Sequence, residues 1–140
     1  MRVLGIDYGA VRVGIAITDE LGITAQGLKT ITYNGNDKIL LRELDKILEE
    51  YNIETIVVGM PFYLDGNKSA RTDITEKFIH KLKCKYNTIN IVKQDERLTT
   101  VESHKTMNDL QINKKKKKEL VDTISAVYIL ETYINKKQNT

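Results

Sequence analysis

Two short apolar runs stand close together at the start of the chain, and their spacing limits how it can fold. Val3-Leu4-Gly5-Ile6 reads as one strand. Val13-Gly14-Ile15-Ala16-Ile17-Thr18 reads as a second, with large and small residues alternating at period two. Only Asp7 to Arg12 lie between them, and Gly9 offers an unusual backbone angle for the turn. A β-hairpin follows. A third strand is expected from Gly27 to Thr32. Asn34-Gly35-Asn36 then breaks the chain, and Asn36 is placed to cap a helix.

The rest of the chain changes period. Leu40, Leu41, Leu44, Ile47, Leu48 and Tyr51 form a helical stripe over about 37–51. Thr55-Ile56-Val57-Val58-Gly59-Met60 is continuously apolar, as a strand covered on both faces would be, and Pro61 ends it. A helix over 69–83 should turn Ile74, Phe78 and Leu82 inward. Ile89 to Gln94 reads as a strand. Thr99-Thr100-Val101-Glu102 fits a capping box for a further helix, Gln111 to Lys114 is a break, and a last helix covers about 116–135. Its middle, Ile124 to Leu130, is apolar on most sides and should be well buried. The expected class is α/β, a mixed sheet with helices on its faces: a three-stranded antiparallel meander followed by two parallel strands. The 140 residues suit one domain over 1–140.

Several function classes are disfavoured early. No apolar run approaches the roughly 20 residues of a membrane span, and the N-terminus turns polar too soon for a signal peptide. A single Cys gives no disulfide framework. A cytoplasmic protein without a membrane partner is the expectation. His80 and His104 lack zinc-ligand spacing with Cys84, which reads as a buried thiol. Gly9 to Gly14 does not form a P-loop, because Ile15-Ala16 stand where Lys-Ser/Thr is needed.

The acidic residues at element ends are more informative as a set than singly. Asp7 is the only charge from Val3 to Val11. Asp95-Glu96 close the strand that begins near Ile89. Asp122 is the only acid between Glu119 and Glu131. In a sheet of this order the strands carrying Asp7 and Glu96 can lie side by side, with Asp122 crossing above their ends. Carboxylates gathered in a buried place repel unless a cation lies between them. Oxygen-only ligands suit Mg²⁺ or Mn²⁺. Two such ions about 3.5–4 Å apart can activate water against a phosphodiester. Neighbouring strand residues face opposite sides, so only one of Asp95 and Glu96 can point at the site. Asp95 shares a face with Ile89, Ile91 and Lys93, and Glu96 with Val92 and Gln94. Parity alone does not choose between them.

The net charge of +3 hides an uneven distribution. Residues 1–110 hold 15 basic and 16 acidic side chains; residues 111–140 hold 7 and 3. The excess centres on Lys114–Lys118. Cations at a helix N-terminus oppose its dipole. Beside an acidic metal site, Lys115, Lys116, Lys117 and Lys118 would hold phosphates next to the ions. The bland alternative is a solvated helix start. Arg12, Arg71 and Arg97 carry a similar pair of readings, phosphate contact or surface brace. Tyr8 and Tyr63 either stack on unpaired bases or simply pack.

Gly5-Ile6-Asp7-Tyr8-Gly9 and Arg12-Val13-Gly14-Ile15-Ala16-Ile17-Thr18-Asp19 resemble the opening of the YqgF (RuvX) family. The likeness continues in Val57-Val58-Gly59-Met60-Pro61, in Asp65-Gly66 and Arg71, in Asp95-Glu96-Arg97-Leu98-Thr99-Thr100, and in Val121-Asp122-Thr123-Ile124-Ser125-Ala126-Val127. Four motifs in order cover nearly the whole chain. The resemblance implies a small RuvC-like protein of the ribonuclease H fold. It implies a nuclease with metal-binding acids at Asp7, Glu96 and Asp122. Its substrates would be the 5′ end of precursor 16S rRNA or Holliday junctions. Phe62-Tyr63 replaces the family's usual Leu-Asn-like pair, and Thr18 stands where Ser is common. RuvC-type resolvases carry a fourth acid near the third; here none lies between Asp122 and Glu131.

Three functional readings follow. The first is a metal-dependent endonuclease on structured RNA or branched DNA, with precursor 16S rRNA preferred and a monomer or weak homodimer expected; junction cleavage would need a dimer. The second is a non-catalytic nucleic-acid-binding factor in ribosome assembly or transcription, which the missing fourth acid favours. The third is ATP binding, as in sugar kinases with a similar hairpin, but those close ATP between two such domains.

Overall fold

The structure, a computed structural model, describes residues 1–61, 69–95 and 114–138, with side chains in the last stretch from 123 to 137. Strands β1 (Arg2–Tyr8), β2 (Arg12–Thr18) and β3 (Ala25–Thr32) form the antiparallel meander. Helix α1 (Asp37–Glu50) leads to β4 (Ile53–Met60), and α2 (Ala70–Lys85) leads to β5 (Asn90–Asp95). Helix α3 (Lys114–Gln138) completes the described elements. The expected helix near Thr99 lies outside the described residues.

The sheet order is β3-β2-β1-β4-β5, with β4 parallel to β1 and β5 parallel to β4. The strand of Asp7 and β5, which ends one residue before Glu96, are not the neighbours that the sequence allows them to be. Strand β4 returns from α1 to pair with β1 and separates it from β5.

Alternation along the strands builds two cores. Leu4, Ile6, Tyr8, Val13, Ile15, Ile17, Ile56, Val58 and Met60 face α1 and α2. Val3, Ala16 and Val57 face the other way and pack against Ala126, Ile129 and Leu130 of α3. The small residues of the β1–β2 alternation therefore all lie under α3. A side chain at Gly5 would meet Leu130 Cγ at 2.5 Å and the Ala126 carbonyl at 3.0 Å; one at Gly27 would meet Thr123. A register shift between Ile15 and Ala16 lets β3 present both Gly27 and Thr30 to α3.

The helices follow from caps and stripes. Asn36 caps α1 through its side chain, which accepts from Lys38 N. Leu40, Leu44 and Ile47 are buried as the stripe requires. Ser69 and Thr72 form a reciprocal capping box on α2. In α2 the buried face is Thr72, Thr75, Phe78, Ile79 and Leu82, and Ile74 is exposed, contrary to expectation. At about 100° per residue Ile74 falls on the flank of that face. In α3 Ser125, Ala126, Ile129, Leu130 and Ile134 are buried, but Ile124, Val127 and Tyr128 are only half-buried. The helix covers the sheet with one face rather than being enclosed.

Gly9 does not take the unusual backbone angle expected of it. Among the described glycines only Gly22 and Gly35 have positive φ. Gly9 serves the turn by its lack of a side chain, since a Cβ would run into the Arg12 carbonyl.

Candidate active site

Asp7 lies at the carboxyl end of the central strand. Its odd-numbered neighbours Val3 and Gly5 face α3, so alternation puts Asp7 on that face too. Directly across from it on β2 is Gly14, and Gly14 pairs in turn with Thr30 on β3. Thr30 Oγ1 shares a 2.9 Å hydrogen bond with Thr123 Oγ1 of α3. The residue after Asp122 is thus anchored in the row of the sheet that holds Asp7, two strands or roughly 10 Å away. The backbone of 122 belongs to α3; the Asp122 side chain lies outside the described residues.

On the other side of β1 the pairing Ile6↔Val58 brings Gly59 next to the level of Asp7, and Gly59 pairs with Gln94. Asp7 therefore has a residue without a side chain on each flank.

Glu96 and Arg97 lie outside the described residues. The face of β5 is nevertheless defined up to Asp95. Val92 packs in the α3 core, whereas Ile91 packs in the opposite one and Lys93 Nζ lies 4.0 Å from Glu76 of α2. Asp95 shares the parity of Ile91 and Lys93, so it faces away from Asp7's side of the sheet.

Arg12 opens β2 on the same face as Gly14 and Ala16, diagonally across from Asp7. Lys115 to Lys118 lie in the first turns of α3, with their side chains outside the described residues. Among the described residues no three acids, His or Cys gather as metal ligands, and that set includes neither Glu96 nor the Asp122 side chain.

The opposite face of this edge is tightly built. Tyr8 is buried, stacks on Phe78 with ring centroids 4.1 Å apart, and donates its hydroxyl to Asp37 at 2.9 Å. Burial, with hydrogen bonds to Tyr33 and Asp37, drives its pKa far above the usual phenol value. Base stacking is closed to Tyr8, and Tyr63 lies outside the described residues. Arg71 Nη2 donates to the Tyr8 carbonyl at 2.9 Å, so its described role is a brace. Tyr33 donates to the Gly9 carbonyl at 2.6 Å, and the amides of Tyr33 and Asn34 donate to the Val11 carbonyl. The turn after Asp7 is held from below, and no sequence pattern signals these contacts.

Cys84 is exposed rather than buried, with Sγ 3.6 Å from His80 Nε2 one turn earlier, because it lies on the outer side of α2. Thr18, at the edge far from Asp7, accepts from Val3 N at 2.8 Å and closes the β1–β2 register. Two shallow cavities, around Met1 and the β2–β3 turn, also lie at that far edge. No helix among the described residues is long and apolar enough to cross a membrane.

The fold has a recognisable class. It matches RuvC of Thermus thermophilus with a TM-score of 0.57 at 11% identity, covering 99% of this chain and 97% of that one. It matches the Fowlpox virus resolvase, solved with Holliday junction DNA, with a TM-score of 0.58 at 12% identity, covering 98% and 99%. These are RuvC-like resolvases with a ribonuclease H-like fold. Within that class, residues 1–136 match the family model RuvX, described as Holliday junction resolvase, and the chain belongs to this family. A relative in Acetivibrio thermocellus is 48% identical over 137 residues, 98% of this chain and 97% of its own length. One in Geobacillus sp. is 36% identical over 139 residues, 99% and 100%. Both carry the provisional name pre-16S rRNA nuclease.

Proposed function

We propose that this chain is a metal-dependent endonuclease that trims the 5′ end of precursor 16S rRNA in the cytoplasm, with residues 1–140 as one nuclease domain. The observation that carries the reading is the row Asp7–Gly14–Thr30, locked to α3 at Thr123, next to Asp122. Family membership and the names of the relatives supply the substrate class.

Asp7, Glu96 and Asp122 are the residues to hold Mg²⁺ or Mn²⁺. The donor set fits a hard cation: it is all oxygen, and the strand neighbours that flank Asp7, Gly14 and Gly59, carry no side chain. Bound there, the metal supplies charge neutralisation and a water of lowered pKa. Glu96 is preferred to Asp95 because Asp95 has the parity that faces α2. The protein's own part is positioning. Asp7 is fixed by its strand and by the braced turn after it. Arg12, on the same face, is the residue to orient a phosphate oxygen. Lys115, Lys116, Lys117, Lys118 and Arg97 attract the nucleic-acid backbone.

Cleavage of a labelled precursor RNA with Mn²⁺ tests this. Asp7→Asn should lower the rate at least 100-fold while Mn²⁺ binding weakens; equal cleavage by both proteins removes Asp7 from the site. The family description favours a second substrate, a four-way DNA junction, whose symmetric cleavage would need a dimer. A junction cleaved faster than the precursor RNA, at concentrations where the protein is dimeric, would select that reading.

A further inference from the structure

Strand β1 runs further along β2 than along β4. The β1–β2 register runs on to Tyr8↔Val13, but the β1–β4 register stops at Ile6↔Val58. Among the described residues the β4 register does not reach Tyr8. Arg71, in the first turn of α2, does reach it. Its Nη2 donates to the Tyr8 carbonyl at 2.9 Å, and its guanidinium carbon lies 5.2 Å from the centroid of the Tyr8 ring. The same turn also grips the residue just after β4: Ser69 Oγ donates to the Pro61 carbonyl at 3.0 Å, and Thr72 Oγ1 donates to it as well. Tyr8 is fixed a third time through Asp37, which Lys81 of α2 pairs at 2.7 Å.

We infer that Arg71 is a positioning residue for Asp7: by holding the carbonyl and ring of Tyr8 it fixes the backbone next to Asp7 and so the direction in which the Asp7 carboxylate leaves the strand. Carbonyl and ring of Tyr8 are held together, so the adjoining backbone cannot rotate freely. A guanidinium suits the task because one planar group donates in its plane and stacks on its face. The inference rests on the proposed site at Asp7.

The test compares wild type, Arg71→Met, Arg71→Gln and Arg71→Lys. Mn²⁺ binding is measured by calorimetry without substrate, precursor-RNA cleavage by kcat and KM, and folding by thermal denaturation. Arg71→Met should fold, bind Mn²⁺ about tenfold more weakly and lose about tenfold in kcat, with RNA KM within twofold. Arg71→Lys, which keeps a donor for the carbonyl, should recover both to within threefold. Mn²⁺ binding and kcat near wild type in Arg71→Met overturn the inference; so does a change confined to RNA KM, which would mark a phosphate contact. If Arg71→Met does not fold, Arg71→Gln is read instead, and failure of both to fold assigns Arg71 to stability alone. Asp7→Asn separates the two levels. If it binds Mn²⁺ and cleaves as wild type does, the site itself fails, whatever Arg71 does.

Discussion

The Tyr86 hydroxyl donates to Asp45 at 2.6 Å, and Lys85 reaches the other carboxylate oxygen at 3.0 Å. The Tyr86 hydrogen bond, helped by Lys85, holds the Asp45 pKa below the usual carboxylate value against a smaller opposing effect of burial. A lowered carboxylate pKa stabilises the fold above its unfolded value, near 4, and that stability is lost as pH falls through the folded value. The Asp45 side chain is 43% exposed, so water screens the pair and the effect should stay below about 1 kcal/mol. Tyr86→Phe should make stability fall less between pH 6 and pH 3 than in wild type, as measured by urea denaturation. An unchanged pH dependence would show that the pair contributes nothing. Single residues are unevenly legible in the sequence. Asp7 stands out as a lone charge in an apolar run, and Asn36 as a cap. Cys84 and Ile74 look internal because apolar character by itself carries no orientation. Asp95 and Glu96 cannot be told apart by pattern because β5 has apolar residues on both faces, and only the packing of Val92 distinguishes them.

Among the elements, α3 shows most directly how small residues shape the molecule. Its approach to the sheet depends on Gly5 and Gly27, where any side chain would displace Leu130 or Thr123. Overpacking of this kind costs about 1–3 kcal/mol. Gly5→Val should therefore lower the unfolding free energy, measured by urea denaturation, by that amount. Leu130→Ala in the same chain should recover part of it, because the Leu130 side chain is the nearer obstacle and the Ala126 carbonyl remains. A stability equal to wild type would mean that α3 rides higher than the structure has it. The β1–β2 hairpin and the buried β4 are legible because alternation and continuous apolar runs are local signals. The sheet order is less so. That β4 comes between β1 and β5 depends on long-range pairing, and the shift between Ile15 and Ala16 leaves no mark in composition.

At the scale of the whole molecule, one helix carries both the basic run and a proposed ligand position. The basic excess of residues 111–140 enters the fold at the start of α3, the helix that also carries residue 122. Replacing Lys115, Lys116, Lys117 and Lys118 with Gln should weaken nucleic-acid binding and flatten its salt dependence. The slope of log affinity against log salt should fall by about 0.7–0.9 for each phosphate that is no longer neutralised. A slope equal to wild type would make the run a solvated surface. The hydrogen bond between Thr30 and Thr123 spans 93 positions of sequence. A ribosome therefore releases the meander, with Asp7 already in its strand, long before the helix that brings Asp122 has been made. Until that helix docks, the sheet carries one of its proposed ligands and an uncovered face of Val3, Ala16 and Val57. With the proposed ligand set, cutting RNA has to wait until that helix has been made and has docked.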